Sequence, residues 1–435
     1  MTLDFHYYIT YIAAREAGFS GAMAHRIAIM AQAIDEACGS GLKTPTTNAA
    51  PVTRTAHKMG IKNPKETSGF MSKKKGRSED YATVWVAFHF LPGNYGDSMA
   101  YGFNYRGHVN NLDTKAKSIG KTKSFLQFGS KGRAKKKAKS HSDFLDKHSG
   151  DMDSTKWGQK SNMICAPYST QAQGMMDDII ELSKLSESAL MNRVAAKAPK
   201  LNALNQKIGT KLNKLEFLIS LTGARVHVLA DTFAHQGCAG FRSKATNDHT
   251  DFQTFEGGKW KTHKIRGAKG TPAWLSLFGH GRFGHYPDVP SAVYKWTRPW
   301  DGQTFNRNNP TQFMEAFMML VQCMQDIRKA LKLNAVDSSW DRQMDKSFFS
   351  STAMKKDVKP RLKYLRDYII KRDGRDLELI SEGDAIKMLD HDWLTHFSVA
   401  CEYHQNWVID FCEKNILKMK FDSFLSQVRS SASDG

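Results

Sequence analysis

Apolar residues recur at mixed three- and four-residue spacing from Tyr11 to Cys38, with a break near Gly18 to Gly21. The pattern predicts a short helix, a turn and a longer Ala-rich helix. Ser40 to Asp80 is dominated by Gly, Pro, Thr, Asn and Lys and reads as a surface loop. The β-branched and aromatic run YATVWVAFHFLPG, Tyr81 to Gly93, ends in Pro-Gly and reads as a buried strand, with a helix as the alternative. Helical periodicity resumes at Gln171 to Leu190 and at Leu201 to Gln236, where FLISLTGARVHVLADTFAHQ keeps a long apolar face and Gly237 stands as its C-cap. Glu256 to Arg307 is rich in Gly, Pro, His and Trp and keeps neither period, so an irregular segment held by side-chain contacts is expected. Amphipathic helix returns over Gln312 to Leu333, Val358 to Arg372 and Asp384 to Phe424. The expected fold is mainly α, one large helical domain spanning residues 1–435 with loop insertions near 40–80 and 110–160.

Composition changes this picture in two places. Hydrophobic residues are 40% and charged residues 24%, which excludes wholesale disorder, and no apolar run approaches the roughly 18 residues of a membrane span. The net charge of +20 implies attraction to polyanions: nucleic acid, anionic lipid head groups or an acidic protein partner. Between Lys115 and Lys139 ten Lys or Arg stand without one acidic residue, and Gly and Ser punctuate them, as expected of a basic loop. Cys38, Cys165, Cys238, Cys323, Cys401 and Cys412 show no CxxC pair or framework spacing and read as reduced core thiols. Asp4 and His6 interrupt the N-terminus where a cleaved signal would need a basic and then an apolar region. A cytoplasmic protein, or one exported by a specialised secretion system, is therefore expected.

The chemistry is concentrated on the longest apolar helix. His227, Asp231 and His235 follow i, i+4, i+8 spacing and drift only about 80° around it, so all three share one face. Burying three ionisable groups there is costly unless a cation compensates them. Imidazole nitrogen with carboxylate oxygen suits zinc, and less selectively manganese or iron. A purely structural His-Asp-His hydrogen-bond ladder is the competing explanation.

One helix rarely closes a metal site, so further donors are expected from other segments. Asp4 and His6 in DFHYY would point the same way from an extended N-terminus. Asp35 ends the Ala-rich helix in AQAIDEA. His89 lies in FHFLPG between two phenylalanines that would face away from it on a strand. His280 and His285 bracket GHGRFGH, and Pro287 and Asp288 follow in the same Gly-rich loop. His391, His396 and His404 with Asp392 form a reserve cluster on a C-terminal helix, most simply a wet helix face.

These motifs carry a resemblance. HxxxDxxxH on an apolar helix, acidic and His groups at the start of the chain and a later His in a Gly-rich loop resemble the zinc-dependent phospholipase C and single-strand nuclease superfamily. The chain is similar, more closely, to a bacterial family of unknown function with HYY, HFLPG and HxxxDTFAHQG motifs. The resemblance covers the motif-bearing pieces of residues 1–110 and 210–300. It implies a multi-helix phospholipase C-like core holding up to three zinc ions at the bottom of a cleft. It also implies that His227, Asp231 and His235 are ligands, with Asp231 bridging, and that Asp4 and His6 stand where the superfamily uses its N-terminal residue. That residue is a free Trp in the superfamily, whereas this chain begins Met1-Thr2-Leu3, so two ions are expected more firmly than three.

The metal ligands expected are therefore Asp4, His6, Asp35, His89, His227, Asp231, His235 and His280, with Asp231 or Asp35 as general base. The leading expectation is hydrolysis of phospholipid at a membrane surface, in the setting of a secreted antibacterial toxin with a cognate inhibitor protein. A zinc-dependent nuclease acting on DNA or RNA is the first alternative, favoured by the basic charge. A non-catalytic, metal-stabilised binding protein is the second. Tyr7, Tyr8, Phe88, Trp274, Trp296 and Trp300 suit base stacking, lipid insertion or the core equally well.

Overall fold

The computed structural model describes residues 1–37, 77–93, 162–207, 211–241, 243–263, 279–297, 304–336, 346–355, 357–381 and 383–430. Most of the expected insertions near 40–80 and 110–160, with the basic stretch Lys115 to Lys139, lies outside these residues. A π-helical turn at Asp4–Ile9 runs directly into α1 (Thr10–Glu16), and α2 (Gly21–Glu36) follows with Ser20 as N-cap. The remaining long helices are α3 (Arg77–Phe88), α4 (Thr170–Lys184), α5 (Glu187–Lys197), α6 (Pro199–Lys207) and α7 (Lys214–Ala234). They continue with α8 (Asn309–Ala330), α9 (Val358–Asp373), α10 (His391–Phe411) and α11 (Phe421–Ser430). A mainly helical fold is what the periodicity predicted.

Helix α7 is the axis of the molecule. Asn213 caps it, its Oδ1 accepting from the backbone N–H groups of Leu215 at 2.8 Å and Glu216 at 3.1 Å. Every residue from Phe217 to Ala234 is buried, because α2, α8 and α10 pack against different sides of the helix. The closest approach is at Gly223, where a Cβ would stand 2.3 Å from Met30 Cβ and 2.9 Å from the Ile27 carbonyl oxygen. Arg225 faces away from the His-Asp-His stripe, and its guanidinium donates to Asp178 at 2.9 Å and to the Met175 carbonyl. The helix ends at Ala234, three residues before the expected cap at Gly237, and Gly237 instead takes a left-handed turn (φ +90°) beside Trp296.

Two readings are corrected by the structure. Tyr81 to Phe88 is helix, not strand: Val84, Val86 and Phe88 are buried, and packing against α10 outweighs the strand preference of such residues. The segment from Glu256 to Arg307 is not wholly irregular. It contributes to a four-stranded antiparallel sheet of β1 (Thr250–Glu256), β2 (Lys259–Thr262), β3 (Val293–Thr297) and β4 (Thr304–Asn308), in the order β2-β1-β3-β4. The strands are four to seven residues long and short of the usual alternating apolar pattern, so the period-two signal is weak. Phe252, Tyr294 and Trp296 from the sheet join Phe283, Phe90, Cys165 and Cys238 in a second, smaller core. That core fastens the sheet to the loop carrying His280 and Asp288. Cys165, Cys238, Cys323, Cys401 and Cys412 are free and buried, and Cys38 lies outside the described residues.

Candidate metal centre

The C-terminal half of α7 sets the geometry. His227 and Asp231 lie one turn apart on it, and His235 follows as the residue that ends the helix, its N–H still bonded to the Asp231 carbonyl at 2.8 Å. Three imidazoles are locked by donating Nδ1–H to a carbonyl: His227 to Ala31 at 2.8 Å, His235 to His89 at 2.6 Å and His280 to Gly284 at 3.0 Å. Each therefore directs Nε2 inward, the arrangement by which an outer hydrogen bond fixes the tautomer of a metal-ligating histidine.

Around Asp231 stand His6 Nε2 at 3.1 Å, His89 Nδ1 at 3.2 Å and His227 Nε2 at 3.3 Å. Asp35 approaches the same group, with Oδ1 3.8 Å from both His89 Nδ1 and His227 Nε2. Around Asp288 stand His235 Nε2 at 3.2 Å and His280 Nε2 at 3.4 Å. Zinc–donor bonds of about 2.0–2.1 Å place the donors of one tetrahedral ion roughly 3–3.5 Å apart. His6–His227–Asp231, Asp35–His89–His227 and His235–His280–Asp288 each bring their donor atoms within 4.8 Å of one another. A cavity of about 180 Å³ opens onto them, lined by Met1, Asp35, Trp85, His89, Asp231, His235, His280 and Asp288. At about 30 Å³ per water, it has room for a phosphodiester group with several waters.

Seven of the eight expected ligands are brought together: His6, Asp35, His89, His227, Asp231, His235 and His280. Asp4 is the exception, and the reason is local. The N-terminus is helical rather than extended, so residues two apart point to roughly opposite sides. Asp4 accepts from Thr2 Oγ1 and Phe5 N–H and pairs with Arg361 of α9 at 2.5 Å. His89 is likewise not on a strand; it sits just past the end of α3.

Two members of the cluster stand outside the expected ligand set: Asp288, which the sequence offers only as a lesser candidate, and the Met1 amino group. Asp288 is presented by a 3-10 turn, Tyr286–Asp288, started by Pro287, and the Pro-Asp pair after GHGRFGH was the available signal. The amino group of Met1 lies 2.5 Å from Asp231 and 3.3 Å from Asp288, which no spacing argument could place. His285 is exposed and outside the cluster. The reserve cluster does not form: His391 and Asp392 pair at 3.5 Å on the solvent-accessible start of α10, as a wet face would have them, whereas the other two histidines are not on it. His396 and His404 are buried with separate partners: His396 Nε2 accepts from Asn213 N–H at 2.8 Å, and His404 bonds the Ala87 carbonyl at 2.9 Å. Tyr7, Tyr8, Phe88 and Trp296 are core residues, while Trp274 and Trp300 lie outside the described residues.

The electrostatics match a site that holds cations. Burial opposes ionisation of Asp231, but His235, the Met1 ammonium, His227 and His6 hold its carboxyl well below the usual range. Asp288 is likewise held down against burial by His280, the ammonium and His235. Burial works against the ammonium too, yet Asp231, Asp288 and Asp35 raise it to about 11. Burial lowers His6 to about 4, aided by His227 and the ammonium and opposed by Asp231. Burial lowers His280 to about 4 as well, against the pull of Asp288. Neutral imidazole at His6 and His280 beside ionised Asp231 and Asp288 is a protonation pattern that suits a divalent cation.

A pH dependence of stability follows. In the metal-free protein His6 and His280 stay neutral down to about pH 4, whereas in the unfolded chain they titrate near pH 6.5. Between these values the unfolded chain binds more protons. Stability is therefore expected to fall on acidification through this window, by about 1.4 kcal/mol per pH unit for each of the two. Calorimetric Tm values in chelator at successive pH would check this; a flat profile between pH 6.5 and 4.5 would contradict it.

The fold and its buried His/Asp cluster define a mainly helical protein with a candidate metal centre. The chain matches, over residues 1–431, the model of a family described as a family of unknown function (DUF6765), and it belongs to that family. No curated protein and no solved structure matches the chain.

Proposed function

We propose that the protein is a metal-dependent phosphodiester hydrolase of phospholipase C type, holding two zinc ions and acting on phospholipid. One observation supports this above the others: Asp35 of α2, His89 at the end of α3, Asp231 and His235 of the α7 segment, and His280 and Asp288 of the 279–288 loop line one cavity that is open. A structural zinc site closes its coordination with protein atoms, whereas a catalytic one leaves a position for water or substrate. The locked tautomers and ionised carboxylates further support a resident cation over a hydrogen-bond ladder.

In this reading His6, His89, His227 and Asp231 would hold one ion and His235, His280 and Asp288 the other. Two bound divalent ions supply a water acidic enough to deprotonate near neutral pH and a charge that orients the phosphoryl oxygens. Asp231 lies against three imidazoles and is a ligand rather than a free base. Asp35 is better placed to take a proton: its side chain is 31% exposed, lines the cavity, and has Oδ1 no closer than 3.8 Å to the neighbouring histidines. Trp85 forms an apolar wall of the same cavity.

The test is hydrolysis of bis(p-nitrophenyl) phosphate, phosphatidylcholine vesicles and single-stranded DNA by the purified protein. Each would be assayed as isolated, after chelation and after zinc is restored. Turnover lost on chelation and regained with zinc is expected, with vesicles preferred over DNA. Zinc-loaded protein with no turnover on any of the three would leave only a non-catalytic centre, and turnover confined to DNA would replace the phospholipase by a nuclease.

A further inference from the structure

We propose that the β1–β2 hairpin is a docking element for an anionic phospholipid surface. Phe255 and Trp260 stand directly opposite each other across the two strands, 43% and 41% exposed, with ring centroids 5.2 Å apart. They are a large apolar pair on an element that buries little of its own surface: every residue from Phe255 to Thr262 is exposed. The tip is Gly257-Gly258, both at positive φ, as a two-residue turn between twisted strands requires. No atom lies within 4 Å of where a Cβ would stand on either glycine, so the tip projects into open space.

Charge decides the kind of surface. Lys259 and Lys261 flank Trp260 on β2, and the Lys295 ammonium lies 4.2 Å from the centre of the indole ring. The carboxylate at the tip, Glu256, is engaged by Lys261 at 3.0 Å and by Thr254, and Asp251 lies at the other end of β1. Lys295 thus lies against the indole, while Lys259 and Lys261, the latter paired with Glu256, bring further positive charge to the other face of the same hairpin, on a chain of net charge +20. Tryptophan beside lysine is the composition that settles at the head-group level of a bilayer. Nucleic acid suits the pair less well. The two rings are inclined at 60° rather than laid out as a platform, and the lysine ammonium covers one indole face that a base would need.

The base of the hairpin packs on the loop of the candidate site. Phe252 at its base packs against Phe283 at 5.6 Å and Tyr286 at 5.4 Å, both in the loop carrying His280 and Asp288. Binding through the hairpin is a property separate from hydrolysis and is read without turnover.

Co-sedimentation with phosphatidylcholine vesicles, with and without phosphatidylserine, tests the proposal. The protein as it stands is expected to bind the phosphatidylserine vesicles. Phe255→Ala/Trp260→Ala, checked for an unchanged Tm, is expected to bind at least about tenfold more weakly. Lys259→Glu/Lys261→Glu is expected to remove the preference for phosphatidylserine, about fivefold for each lysine. Brominated lipid should quench a tryptophan signal that Trp260→Phe lacks. Equal vesicle affinity in the aromatic double variant and the parent, or no vesicle binding at all, would overturn the proposal. So would loss of single-stranded DNA binding, rather than vesicle binding, in that variant.

Discussion

Asp231→Asn is expected, on the function proposed above, to empty the centre and abolish hydrolysis while leaving a folded protein. The substitution keeps size and shape but removes the charge that His6, His89 and His227 converge on. Disturbing a group that merely orients a metal ligand costs about 10–100-fold in affinity or activity. Loss of the carboxylate that contacts most of the cluster should cost a hundredfold or more. The Met1 ammonium also loses its nearest carboxylate, so some loss of Tm accompanies the change. Metal content by plasma mass spectrometry, normalised to the folded fraction by circular dichroism, separates the two effects. A folded Asp231→Asn protein that keeps both its zinc and its turnover would sink the assignment of this residue as a ligand.

The second large effect is at Gly223, and propensity and packing disagree about its sign. Gly to Ala inside a helix ordinarily stabilises by about 1 kcal/mol. Here the new methyl would meet Met30 Cβ at 2.3 Å and the Ile27 carbonyl oxygen at 2.9 Å. One of these is backbone, so relief requires α2 and α7 to separate rather than a side chain to turn. Overpacking of this kind costs about 1–3 kcal/mol and outweighs the propensity gain, and Gly223→Val should exceed it. The expected outcome is a lower midpoint in urea for Gly223→Ala and a still lower one for Gly223→Val. Both would weaken metal binding as well, since α2 carries Asp35 and α7 carries Asp231. A Gly223→Ala protein as stable as the parent would mean that the helices do not approach this closely.

Local patterning made the helices legible and left the sheet obscure. Thr10–Glu16, Gly21–Glu36, Lys214–Ala234 and Val358–Asp373 follow apolar spacing that one turn of helix imposes on neighbouring residues. Short strands, by contrast, gain their stability from partners elsewhere. Phe255 means little until Trp260 stands opposite it, and Trp296 until Phe305 does. The Tyr81 to Phe88 segment reads as either strand or helix for a related reason, because burial gives the two the same composition.

The amino-acid order alone determined that His227, Asp231 and His235 share one stripe of a helix, since i, i+4, i+8 spacing is a property of the backbone's own period. Only the tertiary structure decided which other groups meet that stripe. Helical rather than extended backbone at the N-terminus turned His6 inward and sent Asp4 to Arg361. A single Pro-started turn carried Asp288 to His235, and an amino group 230 residues distant in sequence came to lie against Asp231. Donor sets of this kind are assembled by packing between segments far apart in the chain, and no local periodicity records which of them will touch.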